Sequence, residues 1–159
     1  MPAMVARWGL RKNGWKPGSS DRAVIWCRTR IGFIMWIRMR AVIVEDEPLA
    51  AQYLATLLDD TCQVEVVATA ADSEAGLRLC AELRPHAVFL DINLPSKDGI
   101  SLATQLAMLP QPPLLVFTTG MPGRAADAFR LDAVDYLLKP LDPEQVAEAV
   151  NRLLAYLAV

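Results

Sequence analysis

Cysteine is scarce in this chain, and histidine scarcer still. Cys27, Cys62 and Cys80 stand at spacings that match neither a zinc site nor a disulfide framework. They read as reduced thiols, with Cys80 packed inside a helix. The single histidine, His86, opens an apolar run and has no triad partner, so hydrolytic triad chemistry is excluded and a structural role is expected. No uncharged apolar stretch reaches the roughly 18 residues of a membrane span. The apolar run Ile31 to Ile37 is too short for the core of a signal peptide. Internal repeats and low-complexity tracts are also missing. A cytoplasmic protein of 159 residues, 53% hydrophobic, is left, and that is enough for one domain with a sizeable core.

The net charge of −2 conceals a division. Nine of the 16 Lys and Arg lie in residues 1–40 against one acid, Asp21, leaving seven basic and seventeen acidic residues beyond. All four tryptophans (Trp8, Trp15, Trp26, Trp36) fall in the basic part. Residues 1–38 therefore form a basic, Trp-rich leader, distinct from residues 39–159. Asn13-Gly14 and Pro17-Gly18-Ser19-Ser20 are turn or linker chemistry, and no helical or alternating pattern is evident. The favoured reading is a disordered or over-extended start, with the folded unit beginning at Met39. A membrane-surface or nucleic-acid arm is the alternative. Without a recognisable motif, direct nucleic-acid binding by this chain is not expected.

From residue 40 onward, apolar runs alternate with helical patterns. Strands are predicted at about 40–45, 64–69, 86–91, 114–119 and 134–138, and helices at about 48–59, 73–83, 99–108, 123–131 and 143–157. Such alternation predicts an α/β fold: a doubly wound, five-stranded parallel sheet with five helices. Pro48 suits the first turn of a helix. Asp142, Pro143 and Gln145 read as an N-cap, an N1 proline and a capping-box partner.

Acids cluster at the strand ends. The run Ala41–Val44 ends in Glu45, Asp46 and Glu47, and the run Ala87–Leu90 ends in Asp91. Leu114–Phe117 ends in Thr118-Thr119, and the run through Leu138 ends in Lys139-Pro140. In a parallel sheet these ends share one rim, where open α/β sheets bind ligands. Carboxylates about 4 Å apart repel by around 4 kcal/mol at an effective dielectric near 20, so a cation is needed. Oxygen ligands select a hard one, and magnesium fits. Carboxylate, magnesium and lysine together suit a phosphoryl group, and the carboxylate can itself be the nucleophile. Thr119 can donate to a phosphoryl oxygen. Glu47, ahead of Pro48, reads as a helix-start residue, and Asp98-Gly99 as a turn and helix start.

The stretch from Arg40 to about Ala158 resembles a response-regulator receiver domain of the CheY-like kind, through VIVEDEP, VFLDINLPSKDG, FTTG and DYLLKP in order. DAVDYLLKP resembles receivers that precede LytTR-type DNA-binding domains, as in AlgR- or LytR-like two-component regulators. The resemblance implies a flavodoxin-like strand order, 2-1-3-4-5. It implies that Asp91 is the phosphoacceptor, and that Asp46 ligates magnesium with Asp91 and the backbone carbonyl of Asn93. Glu45, where Asp is common, would act through water. Lys139 would pair with the phosphate, Thr119 would be the switch hydroxyl, and Tyr136 the aromatic that turns inward. It also implies a cis Lys139-Pro140 bond.

The expected function is reception of a phosphoryl group from a sensor histidine kinase, followed by a shift at the face of the fourth helix, fifth strand and fifth helix, which dimerises or docks a target. The chain is expected to be a phosphoacceptor, not an enzyme in its own right. One alternative is the receiver part of a LytTR-type transcriptional regulator without its output domain. Another is an aspartate-based phosphatase, disfavoured because the second acid such enzymes carry two residues after the nucleophile is replaced here by Asn93.

Overall fold

Strands buried on both faces should read as unbroken apolar runs, and three of the runs above do. In the computed structural model they form the centre of a sheet. Residues 23–29, 32–95 and 97–157 are described, with side chains for 38–95, 97–128 and 130–157. The chain divides into two compact units, Met1–Arg38 and Met39–Val159.

In the first unit, β1 (Ala23–Thr29) pairs antiparallel with the opening residues of β2 (Gly32–Val44), from Ala23 opposite Arg38 to Thr29 opposite Gly32. The sequence predicts no element here. Its β-branched and aromatic content suits a strand, but periodicity gives no sign of one.

In the second unit, residues 39–44 of β2 are followed by α1 (Pro48–Asp60), β3 (Val64–Ala70), α2 (Ser73–Leu83), β4 (Ala87–Asp91) and α3 (Gly99–Ala107). Then come β5 (Leu114–Thr119), a 3-10 turn (Pro122–Arg124), α4 (Ala125–Arg130), β6 (Asp135–Leu138) and α5 (Pro143–Leu157). The parallel strands lie in the order β3-β2-β4-β5-β6, the predicted 2-1-3-4-5. The helical pattern at 123–131 is shared between the turn and α4, because Pro122 and Gly123 tighten the first turn.

Alternation along the strands divides the core between the two faces. Ala41, Ile43, Phe89 and Val116 pack with Leu54 and Leu58 of α1 and Val150 and Leu153 of α5. Val42, Val44, Leu90 and Phe117 pack with Cys80 of α2 and Leu102 and Leu106 of α3. Burial pushes the Cys80 thiol up to about 12, which leaves it inert as a nucleophile.

Local signals hold the helix starts. Pro143 opens α5, and the Asp142 carboxylate accepts from the Glu144 N–H at 2.8 Å. Asp72 caps α2 by accepting from the Ala75 N–H at 2.8 Å. Glu47 stands at the N-cap of α1 without a side-chain cap bond, and Pro48 follows it. His86 is structural: its Nδ1 accepts from the Arg40 N–H at 2.9 Å. Among the described residues, no helix is long and apolar enough to cross a membrane.

Candidate phosphoryl-binding site

Parallel pairing brings four strand ends to one rim. Glu45 and Asp46 follow β2, Asp91 ends the adjacent β4, Thr119 ends β5, and Lys139 follows β6. The Lys139 N–H donates to the Thr119 carbonyl at 2.8 Å, which holds the lysine backbone at the rim. The Lys139-Pro140 bond is cis.

The Lys139 ammonium reaches back across the sheet. Its Nζ donates to Glu45 Oε2 at 2.6 Å and to Asp91 Oδ2 at 3.0 Å. Both carboxylates are buried, at 6% and 4% exposure, while Asp46 beside them is exposed. Asp91 Oδ1 accepts from the Asn93 N–H at 2.9 Å. Glu45 Oε1 accepts from the Glu47 N–H at 3.2 Å. Burial and the neighbouring Asp91 charge raise the Glu45 pKa, and the bonds from Lys139 and Glu47 offset this only in part. The Lys139 pKa is raised as well: burial works against the ammonium, but its bonds to Glu45 and Asp91 outweigh that.

Oxygens of Glu45, Asp46 and Asp91 lie within 4.8 Å of one another. An all-carboxylate set this close fits a hard cation, magnesium in particular. A cleft of about 380 Å³ adjoins it, lined by Asp46, Ile92, Asn93, Leu94, Pro95, Asp98 and Arg124.

The switch candidates lie on the two strands beyond Asp91, Thr119 at the end of β5 and Tyr136 in β6. Thr119 is fully buried, and its Oγ1 accepts from the Met121 N–H at 3.0 Å and from Asn93 Nδ2 at 3.3 Å. Tyr136 is half-buried against the α2–α3 side of the core, and its hydroxyl donates to the Met121 carbonyl. Its ring is thus already anchored.

Arg124 joins the site unannounced by any motif. Its guanidinium bonds Asp98, which also caps α3, and Asp127 in α4. The only sequence signal is a basic residue on the first turn of a predicted helix.

Replacing Lys139 with Met leaves two buried carboxylates facing each other without their cation. Losing one partner of a buried pair costs 3–5 kcal/mol; at 26% exposure of the lysine side chain, about 2 kcal/mol is expected in urea melts without metal. The raised lysine pKa also fixes the pH dependence. The stabilisation is full below the ordinary value of 10.5 and is lost as pH rises through the higher folded value, so the gap between parent and variant should close there.

Residues 41–151 match the family model described as the response regulator receiver domain. The chain is 45% identical over 117 residues to an uncharacterized response regulatory protein of Vibrio parahaemolyticus, covering 72% of this chain and 47% of that protein. It is 39% identical over 115 residues to the transcriptional regulatory protein YpdB of Escherichia coli, with the same two coverages. Among solved structures, the response regulatory domain of protein MrkE from Klebsiella pneumoniae matches with a TM-score of 0.69 at 36% identity, over 74% of this chain and 97% of that one. The chain spans about half the length of the curated relatives it matches.

Proposed function

The chain belongs to the response regulator receiver domain family, and on that premise we propose that Asp91 accepts, in the cytoplasm, a phosphoryl group from the phosphohistidine of a sensor histidine kinase. One observation carries the reading. The Asp91 carboxylate ends a buried strand with Lys139 on one oxygen and the Asn93 N–H on the other, beside two further carboxylates.

An Asp91 oxygen attacks phosphorus, the P–N bond breaks, its electron pair returns to the imidazole, and an acyl phosphate forms. Lys139 neutralises the incoming oxygens, and its tie to Glu45 keeps it aimed. Thr119 leaves its present partners to donate to the phosphoryl group. Asp46, Asp91 and the Asn93 carbonyl, with Glu45 through water, would hold magnesium, which when bound supplies positive charge for the phosphoryl oxygens. The altered Thr119 contacts reach Tyr136 through Met121, whose N–H and carbonyl bond the two. That biases the face of α4, β6 and α5 toward a second copy or a target.

Similarity to YpdB, a transcriptional regulatory protein, favours an origin in a DNA-binding regulator, with the DNA contact made outside this receiver.

Acetyl phosphate and magnesium test the reading: intact mass should rise by one phosphoryl group, and an unchanged mass would sink it. Magnesium alone should raise the melting temperature. At ten times its dissociation constant it adds about 1.4 kcal/mol, roughly 5 °C for a domain of this size. Asp46→Ala should remove most of that shift, and a full shift in the variant would displace the metal assignment.

A further inference from the structure

Arg124 is held at both ends of its fork. Its Nη2 donates to Asp98 Oδ2 at 2.7 Å, and its Nε donates to Asp127 Oδ2 at 2.9 Å. Asp98 is not a loose partner. Its other oxygen accepts from the Ile100 N–H at 3.1 Å and caps α3. The next N–H, that of Gly99, donates to the Ile92 carbonyl at 2.8 Å. The Arg124 charge and bond hold the Asp98 carboxyl below its usual range, although burial works the other way.

The guanidinium therefore bridges two rim segments separated by 26 residues: the loop after the phosphoacceptor strand and the turn after the switch-threonine strand. The loop it secures carries Asn93, and Arg124, Asn93 and Asp46 line one cleft. We infer that Arg124 is a positioning residue that fixes the Asn93-bearing loop against Asp46 and thereby sets the divalent-cation affinity of the carboxylate pocket. The inference rests on the reading that this pocket takes magnesium.

The sign of the effect separates this role from plain electrostatics. Removing Arg124 deletes a positive charge near the pocket and uncovers two acids, so by charge alone magnesium would bind more tightly. If the fork instead holds a ligand-bearing loop in place, its loss weakens binding, because the loop must then be ordered by the metal.

The test is calorimetric titration of the full chain with magnesium chloride. Arg124→Gln should weaken binding about five-fold, below the 10–100-fold typical of outer-shell partners because this pair is partly exposed. Arg124→Lys should fall between parent and Gln, since a compact ammonium lacks the fixed fork by which Nη2 and Nε reach Asp98 and Asp127 separately. Asp98→Asn keeps the cap, and adding it to Arg124→Gln should weaken binding less than the two single effects combined. The metal-free melting temperature of Arg124→Lys should match the parent, which separates loop placement from general loosening. Unchanged or tighter binding in both Arg124 variants would overturn the inference alone. A parent that binds no magnesium would overturn the pocket reading along with it.

Discussion

Asp91→Asn is expected to abolish phosphoryl uptake from acetyl phosphate while leaving the fold intact. The amide fills nearly the same volume at the end of β4, so the buried strand has no reason to move. What disappears is the anionic oxygen. An amide oxygen is a poor nucleophile toward phosphorus, and no other group in the cluster stands in the same relation to Lys139 and the Asn93 N–H. Glu45 comes nearest, since it shares the lysine at 2.6 Å, but its other oxygen accepts from the Glu47 N–H rather than the Asn93 N–H. The substitution also removes one of two buried carboxylates crowding one ammonium. That relief is set against an amide NH2 turned toward one of the two donors Asp91 serves, so the metal-free variant should melt close to the parent, and a cooperative melt there separates lost chemistry from unfolding. Intact mass after incubation with acetyl phosphate and magnesium is the readout. Retained labelling would move the acceptor to another side chain, and peptide mapping would show whether that is Glu45.

The cluster was legible in the sequence because its placement follows from strand ends alone. Apolar runs such as Ala87–Leu90 report burial on both faces, burial on both faces implies a parallel sheet, and a parallel sheet puts every C-terminal end on one rim. Glu45, Asp46, Asp91, Thr119 and Lys139 meet for that reason. The helix starts were legible too, since Pro48, Asp98 and Asp142 act within a few residues of themselves. The bridge from Arg124 to Asp98 was not. A contact across 26 residues leaves no period, and one carboxylate can cap a helix with one oxygen and bind an arginine with the other. The anchoring of Tyr136 on the Met121 carbonyl was equally silent, because it depends on the path of the turn after β5. The β1–β2 pairing lay in a segment whose basic and aromatic residues mask any alternation.

Gly99→Ala gives the sharpest expectation for stability, and two effects of opposite sign decide it. Alanine is the better helix former by about 1 kcal/mol, so at an open position on α3 it would stabilise. Position 99 is not open. A Cβ built there lies 2.2 Å from the Asp91 carbonyl oxygen, 2.8 Å from the Ile92 Cα and 3.0 Å from the Asp91 carbonyl carbon. All three are backbone atoms, so no side-chain rotation relieves the overlap. Either α3 must back away, opening the fully buried contacts of Leu102 and Leu106, or the end of β4 must shift and carry Asp91 with it. Overpacking of this kind costs about 3 kcal/mol or more, which exceeds the propensity gain. The melting temperature should fall by roughly 10 °C. Gly123 is the control: a Cβ there meets nothing within 4 Å, so Gly123→Ala should melt close to the parent. The comparison also bears on the chemistry. Because Gly99 lies against the Asp91 backbone, displacement at this contact should lower phosphoryl uptake in whatever fraction stays folded, and Gly123→Ala should label like the parent. If Gly99→Ala melts and labels like the parent, the start of α3 does not press on the end of β4.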